Sequence, residues 1–334
     1  MNAYERHYAS LRRRVDHRLR AIARGNNPHD LLEACRYVLA GGGKRVRSTL
    51  VLLACEAVGG NVRSAVDAGT AIELLHNFTL VHDDVMDNAP ARRGRATVHM
   101  RWNVNSALLV GDTLLGFAYR QLLKTTTGEL HRVCKVFTEA LVEVCTGQAL
   151  DLEFEQRADI SVEEYFEMIE KKTARLLAAS AEIGGILGGG TERQIASLRT
   201  FGRYLGRAFQ VQDDLLDAVG NEATFGKAIG GDIIEGKKTF LLLKALEHAR
   251  GNDRAALMRV MDRRRHRPIR TKGERDREVR TVTAIFHATG ALDAARASIR
   301  RDTRKAEVAL QALPKNHARD TLHWLSQMLL RRSV

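Results

Sequence analysis

The chain has 334 residues, of which 44% are hydrophobic and 5% aromatic, and its formal net charge is +13. This length is sufficient for a large core, and scarce proline with abundant alanine, leucine and arginine favours helices over strands. No uncharged apolar run reaches the roughly 18 residues of a membrane-spanning helix, and the charged N-terminus lacks the apolar core of a signal peptide. We therefore expect one all-α domain over 1–334, located in the cytoplasm and without stable membrane insertion.

Apolar residues at helical spacing recur along the chain, beginning with HDLLEACRYVLA at 29–40. The pattern predicts helices over 29–40, 46–58, 67–87, 105–124, 129–156, 161–187, 192–217 and 238–250, and C-terminal helices between 281 and 330. Glycine-rich segments, such as 41–44 and 188–190, separate these helices because glycine favours turns.

The net charge permits nucleic acid, acidic lipid or a phosphate-rich substrate as partner. Arginine dominates residues 262–280, which we predict to be a solvated loop. Because this segment lacks interleaved aromatic residues, a nucleic-acid patch is disfavoured and no nucleic-acid partner is expected.

Two acidic clusters share the pattern DDxxD. The first acidic cluster is Asp83, Asp84 and Asp87, and the second is Asp213, Asp214 and Asp217. Each closes a long predicted helix, where positions i and i+4 share one face and like charges repel. A divalent cation would offset that repulsion, and Mg²⁺ binds carboxylate oxygens and is commonly shared with substrate phosphates. Two solvated helix ends are the alternative interpretation.

Basic residues accompany both clusters. Arg92 and Arg93 follow the first cluster, and Lys227 and Lys237 follow the second. Arginine binds phosphate oxygens in pairs, whereas lysine binds them as a point charge. A further glycine turn, GGGK at 41–44, precedes a predicted helix start, which is a position suited to anions. Acid for metal ions and base for phosphates together indicate two diphosphates in one cavity.

These segments resemble the trans-isoprenyl diphosphate synthases, also called polyprenyl synthetases. The resemblance covers roughly residues 41–246. It is carried by GGGKRVR at 41–47, DDVMD and RRG between 83 and 94, VGD at 110–112, GQALD at 147–151, KT at 172–173, FQ at 209–210, DDLLD at 213–217, and GK at 226–227 and 236–237. It implies an all-α fold of the isoprenoid synthase type, a single large helical bundle around a central cavity.

The sequence departs from the family pattern at a few positions. Ser48 and Ala96 stand where proline is usual, and Ala174 stands where glycine is usual. None of these departures removes a candidate metal ligand or phosphate-binding cation, so the resemblance still implies activity.

By resemblance, the reaction is a head-to-tail prenyl transfer, in which isopentenyl diphosphate and an allylic diphosphate are the substrates. The resemblance implies three Mg²⁺ ions per active site, with Asp83, Asp87 and Asp213 as the main ligands. Asp84, Asp214 and Asp217 complete the candidate metal set, as ligands of bound water or partners of lysines.

The cations divide between the two substrates. The residues expected to contact the allylic diphosphate or line its path are Arg92, Lys172, Thr173, Gln210, Lys227 and Lys237. The residues expected to bind isopentenyl diphosphate are Lys44, Arg47, His76 and Arg93. Lys172 and Lys227 join Asp83, Asp87 and Asp213 as the candidate catalytic set.

The growing chain is expected to run back along the helix that carries Asp83, past Phe78, Thr79 and Leu75. A large side chain at Phe78 would form the floor of the tunnel that holds this chain, although ordinary core packing is the other interpretation. By resemblance, one aromatic residue here indicates a geranylgeranyl (C20) product, and a second at position 79 would favour farnesyl (C15). We predict C20, with C15 as the alternative.

Two other functions fit part of the pattern. A class I terpene cyclase needs one diphosphate site, so GGGKRVR and the second acidic cluster disfavour it. A non-catalytic synthase subunit would have lost aspartates or phosphate-binding cations, whereas this chain keeps them. The resemblance also implies a homodimer, for which the apolar helix near 105–123 is the candidate interface.

Overall fold

The computed structural model describes residues 1–22, 24, 29–220, 229–262 and 271–330. These residues are almost entirely helical, which confirms the all-α class. The described helices are α1 Ala3–Ile22, α2 His29–Leu39, α3 Val46–Ala57, α4 Val62–Met86, α5 Val98–Arg101, α6 Val104–Leu122, α7 Leu130–Phe154, α8 Val162–Ile169, α9 Arg175–Leu187, α10 Glu192–Val219, α11 Gly231–Glu235, α12 Phe240–His248, α13 Gly251–Met261, α14 Lys272–Ala288, α15 Ala291–Ala309 and α16 His317–Leu330. A π-helical turn, Glu170–Ala174, joins α8 to α9, and a 3-10 turn, Leu310–Ala312, follows α15. Two short antiparallel strands, β1 Ala91–Arg92 and β2 Arg95–Ala96, form a hairpin.

Most predicted helices are present, but α1 and the start of α14 differ from prediction. Helix α1 was not predicted, although its buried residues Tyr8, Leu11, Val15 and Leu19 follow helical spacing. The prediction of a loop over 262–280 is wrong from residue 272 onwards, because α14 begins there. Thr271 and Glu274 form a capping box at its start. The rest of that loop, 263–270, lies outside the described residues.

The chain forms two compact units. Unit 1 comprises Met1–Leu141, Leu176–Thr200 and Ala309–Trp324, and unit 2 comprises Val142–Arg175, Phe201–Val308 and Leu325–Val334. The single domain over 1–334 stays a prediction. No helix among the described residues combines the length and apolar content needed to cross a membrane.

Unit 1 is built on α3 and α4. Both helices are apolar on several faces, as expected for interior helices, and α3 buries Leu50, Val51, Leu52 and Leu53 completely. The 25 residues of α4 carry the first acidic cluster at their C-terminal end. A buried helix therefore fixes the position of this cluster.

A buried ion network holds the start of α3. Arg45 precedes the helix in the left-handed region, with φ of 53°, and is 5% exposed. Its guanidinium donates to Asp16 Oδ1 at 3.0 Å, to Glu73 Oε1 at 3.0 Å and to the Leu39 carbonyl at 2.8 Å. Ser48, which replaces the usual proline, donates to the other Glu73 oxygen at 2.9 Å. The network ties the segment containing Lys44 and Arg47 to α4.

Unit 2 has its own apolar core, formed by side chains of α8, α10 and α12 to α15, among them Tyr165, Phe240 and Phe286. Unit 2 also contains a buried lysine, Lys238. Its ammonium donates to the Glu155 carbonyl at 3.1 Å and to the Met261 carbonyl at 3.0 Å, at the C-terminal ends of α7 and α13. A cation is favourable there because helix C-termini carry partial negative charge.

Arg45→Met tests the ion network. It leaves the buried Glu73 carboxylate without its guanidinium, so we expect a loss of about 3–5 kcal/mol in the free energy of unfolding. Urea denaturation followed by circular dichroism measures the loss. Arg132→Met is the control, because Arg132 pairs with Glu192, which is 79% exposed, and should cost about 0–1 kcal/mol. Equal losses for the two variants would contradict the importance of the buried network.

Candidate active site

The first acidic cluster lies at the C-terminal end of α4. The amide of Asp87 donates to the Asp83 carbonyl at 2.8 Å, so helical spacing continues through the motif. Asp83 is half-buried and Asp87 is exposed. The last turn of α4 carries no basic residue. Repulsion at i, i+4 and the negative helix end are therefore not offset within that turn.

The middle aspartate of this cluster has a different environment. Asp84 is 6% exposed and accepts a hydrogen bond from Arg92 Nε at 2.7 Å. Burial raises the pKa of Asp84, and the Arg92 charge opposes that shift. Asp84 therefore anchors strand β1, and its partner is an arginine instead of the expected lysine. The Arg92 side chain remains 34% exposed.

The structure brings together three of the four residues predicted to bind isopentenyl diphosphate. Arg47 Nη1 lies 3.3 Å from His76 Nε2, and the charges of both Arg47 and Arg93 act on His76. Burial and these arginines hold the pKa of His76 well below its usual value. Because guanidinium only donates, Nε2 accepts and the ring proton is assigned to Nδ1. Lys44 is exposed at the preceding glycine turn.

In the second acidic cluster, Asp214 is buried and accepts three hydrogen bonds. Tyr165 Oη donates to Oδ2 at 2.6 Å, the Phe240 amide donates to Oδ2 at 3.3 Å, and Gln210 Nε2 donates to Oδ1 at 3.0 Å. The expected lysine partner is thus replaced by a phenol, an amide side chain and the backbone. Asp213, its neighbour, is half-buried.

Asp217 is also held by the backbone. Its Oδ2 accepts from the Asp232 amide at 2.9 Å. Burial, and then the neighbouring Asp232 carboxylate, raise the pKa of Asp217 to about 7. Lys237 lies close by, with its ammonium 2.9 Å from Glu235 and 3.6 Å from Asp232. Sequence reasoning missed Asp232, which only its place in a glycine-rich segment could have suggested.

Lys172 and Thr173 lie in the π-helical turn. Such turns are frequently found at functional sites. The Lys172 ammonium pairs with Asp151 of α7. Thr173 Oγ1 donates to Gln210 Oε1 at 2.9 Å. Gly147 permits this packing, because a Cβ there would lie 2.2 Å from the Lys172 backbone nitrogen. The predicted allylic residues Lys172, Thr173 and Gln210 are therefore neighbours.

A cleft in unit 2 collects these groups and has a volume of about 110 Å³. Its polar lining includes Asp151, Lys172, Thr173, Gln210, Asp214, Asp232 and Lys237. The predicted phosphate contact Lys227 lies outside the described residues.

Phe78 lies on α4, one turn before the first cluster, and is 8% exposed. Its ring meets the His82 ring edge to face, with centroids 4.8 Å apart. His82 rests against Gly111, where a Cβ would lie only 2.1 Å from Nε2. Leu75 is fully buried, and the Thr79 hydroxyl donates to the His76 carbonyl at 2.9 Å. The three chain-length candidates thus occupy the helix as predicted.

The donor set fits a hard divalent cation. The ligand atoms offered by Asp83, Asp87 and Asp213 are all carboxylate oxygens, which Mg²⁺ prefers. Asp87 is exposed, and Asp83 and Asp213 are half-buried. No grouping of three or more acidic, histidine or cysteine side chains in these clusters has its ligand atoms within 4.8 Å among the described residues.

The family model for polyprenyl synthetase matches residues 28–273, so the chain belongs to that family. The chain is accordingly a prenyltransferase, as the motifs predicted.

Two relatives illustrate the range of the family. A short chain isoprenyl diphosphate synthase of Methanothermobacter thermautotrophicus is 39% identical over 95% of both chains. A geranylfarnesyl diphosphate synthase of Natronomonas pharaonis is 35% identical over 92% of this chain and 91% of its own. Overall sequence identity to these relatives therefore does not determine the length of the product.

Solved structures share the fold. The geranylgeranyl pyrophosphate synthetase of Pyrococcus horikoshii is 36% identical, with a TM-score of 0.92 over 99% of this chain and 100% of its own. A geranylgeranyl pyrophosphate synthase of Corynebacterium glutamicum, solved with isoprenyl diphosphate and magnesium, is 27% identical, with a TM-score of 0.85 over 96% and 98% of the two chains.

The raised pKa of Asp217 predicts how stability changes with pH. A carboxylic acid whose pKa is raised on folding stabilises the folded state at low pH, and this contribution is lost as pH rises towards 7 and above. With divalent ions chelated, the free energy of unfolding should fall more between pH 5.5 and 8.5 in the wild type than in Asp217→Asn. Urea denaturation at both pH values measures the difference. Asp87→Asn, which alters an exposed carboxylate, is the control; parallel pH slopes for wild type and Asp217→Asn would refute the prediction.

Proposed function

We propose that the chain condenses isopentenyl diphosphate with an allylic diphosphate, head to tail, and stops at the C20 product geranylgeranyl diphosphate. The observation that carries this proposal is the division within both acidic clusters. The buried middle aspartates, Asp84 and Asp214, are held by protein donors, whereas Asp87 is exposed and Asp83 and Asp213 are half-buried. Such a division supports a metal-diphosphate site and disfavours a pair of solvated helix ends.

Asp83, Asp87 and Asp213 are the proposed direct metal ligands. Asp84, Asp214 and Asp217 support them, because each accepts hydrogen bonds from the protein. Three Mg²⁺ ions, when bound, would neutralise charge on the leaving diphosphate. That stabilisation is greatest as the C–O bond breaks, which is what accelerates an ionisation step.

The cations Lys172, Lys237, Lys227 and Arg92 bind the allylic diphosphate in this proposal. Lys172 pairs with Asp151 in the structure, so it must share its ammonium between that carboxylate and the substrate. An ammonium has three donors, which makes such sharing feasible. Asp151 thereby keeps Lys172 oriented before substrate binds.

Isopentenyl diphosphate binds through Lys44, Arg47, Arg93 and His76. His76 is neutral and carries its proton on Nδ1, so it offers a hydrogen bond without adding charge beside the arginines. The C–O bond of the allylic diphosphate breaks first, and the diphosphate leaves with its electron pair. The double bond of isopentenyl diphosphate then attacks the allylic cation and a C–C bond forms. The departed diphosphate takes up the proton that the adduct loses, which restores a double bond.

Assembly as a homodimer fits the exposed face of α6. Val104, Leu108 and Leu109 are 49%, 42% and 57% exposed and lie on one side of that helix. Large apolar side chains grouped in this way are typical of protein interfaces. A second copy of the chain is the partner that family membership supports.

Product analysis tests the proposed function. Purified protein is incubated with Mg²⁺, labelled isopentenyl diphosphate and dimethylallyl, geranyl or farnesyl diphosphate in turn, and the dephosphorylated products are sized. We expect a C20 alcohol that disappears when the metal is chelated. A C15 end point would replace the product assignment, whereas a folded protein that makes no product would refute the synthase proposal in favour of a cyclase or a non-catalytic subunit.

Phe78→Ala tests the assignment of the tunnel floor. Removing the ring opens space beyond the C20 chain, so products of C25 and longer should become the majority under the same assay. Phe137→Ala is the control, because Phe137 is fully buried elsewhere in unit 1 and its loss should destabilise the protein without lengthening the product. An unchanged product distribution in Phe78→Ala would show that Phe78 is ordinary core packing.

A further inference from the structure

A continuous line of hydrogen bonds crosses the cleft of unit 2. It begins at Tyr165 of α8 and ends at Thr173 of the π-helical turn. Both connect to α10, through Asp214 and Gln210 respectively, with bonds of 2.6, 3.0 and 2.9 Å along the line. Gln210 and Asp214 are one turn apart on α10, so the helix itself sets their spacing.

The direction of each bond follows from the chemistry of the partners. Ionised Asp214 only accepts hydrogen bonds, so Gln210 turns its Nε2 towards it. The Gln210 carbonyl oxygen is then left facing Thr173, where it accepts the hydroxyl proton at 2.9 Å. Asp214 thereby fixes the orientation of an amide that could otherwise flip.

We propose that Tyr165 is a positioning residue which, through Asp214 and Gln210, holds the Thr173 hydroxyl so that its lone pairs face the allylic carbon that becomes positive. This inference rests on the proposed synthase function and adds a residue to it. The Thr173 hydroxyl proton points towards Gln210, so only the lone pairs of the oxygen face the reacting carbon. A reversed hydroxyl would present its proton to the same carbon and oppose ionisation.

Tyr165 is well placed to hold the line rigid. It is 1% exposed, and its ring packs against Phe166 and Phe240 with centroids 5.6 and 6.1 Å away. The amide of Phe240 donates to the same Asp214 oxygen as Tyr165. Two donors on one oxygen leave the other oxygen for Gln210. Groups oriented before reaction stabilise developing charge without reorganisation.

Tyr165→Phe removes one hydroxyl and keeps the packed ring. We expect kcat to fall about tenfold, the value of one hydrogen bond of roughly 1.4 kcal/mol, while KM for both substrates changes less than about twofold. Tyr204→Phe is the matched control, because the Tyr204 ring lies on the same helix beside Arg207 and Lys305 and has no place in the line. Steady-state kinetics of both variants with saturating Mg²⁺ measures the effect.

A double-mutant cycle separates positioning from general destabilisation. If Tyr165 acts through Thr173, then adding Tyr165→Phe to Thr173→Val should lower kcat by less than about twofold further. Effects that multiply would show that Tyr165 acts independently of Thr173 and would overturn the proposal. An inactive wild type would refute the synthase function instead, so the two failures are distinguishable.

Asp214→Asn provides a second route if Tyr165→Phe does not fold. Tyr165 and Phe240 both donate, so the asparagine must place its oxygen towards them and its amino group towards Gln210. Gln210 must then flip and present Nε2 to Thr173, which reverses the hydroxyl. At saturating Mg²⁺, which removes the effect of weaker metal binding, we expect kcat to fall more than in Tyr165→Phe. The loss should be smaller in the Thr173→Val background, and a loss of the same size there would contradict positioning through Thr173.

Discussion

Two long helices, α4 and α10, carry like-charged side chains one turn apart near their C-terminal ends, where the helix dipole is already negative. Neither helix has a basic residue in its last turn. This arrangement is unfavourable in isolation, and within each unit the neighbouring groups are organised around its acidic cluster. Arg92 of the hairpin donates to the first cluster, and Tyr165 and the α11 backbone donate to the second.

The two clusters solve the problem in the same way. In each, the middle aspartate is buried and saturated by protein donors: Arg92 for Asp84, and Tyr165, Gln210 and the Phe240 amide for Asp214. Burying a carboxylate without partners would be costly, so these donors are a condition of the fold. Asp83, Asp87 and Asp213 remain for a hard cation, whereas Asp217 is itself held by the Asp232 amide.

Spacing and composition predicted the helices and the acidic clusters, because those depend on local periodicity and on the chemistry of single residues. The family was identified by the resemblance of its motifs. Partnerships between distant segments were beyond that reasoning. Nothing in the sequence near Tyr165 indicates that its hydroxyl meets Asp214, 49 residues later. Likewise, the Lys172–Asp151 pair depends on Gly147 allowing two backbones to approach, and α1 was missed because its many arginines masked its buried stripe.

The division between outer and middle aspartates can be tested directly by metal binding. Mn²⁺ is titrated into the wild type, Asp83→Asn and Asp84→Asn in the presence of inorganic diphosphate, and free Mn²⁺ is followed by electron paramagnetic resonance. We expect Asp83→Asn to lose tight Mn²⁺ binding, whereas Asp84→Asn should retain it and melt at a lower temperature. Loss of binding in Asp84→Asn equal to that in Asp83→Asn, with unchanged stability, would contradict this division.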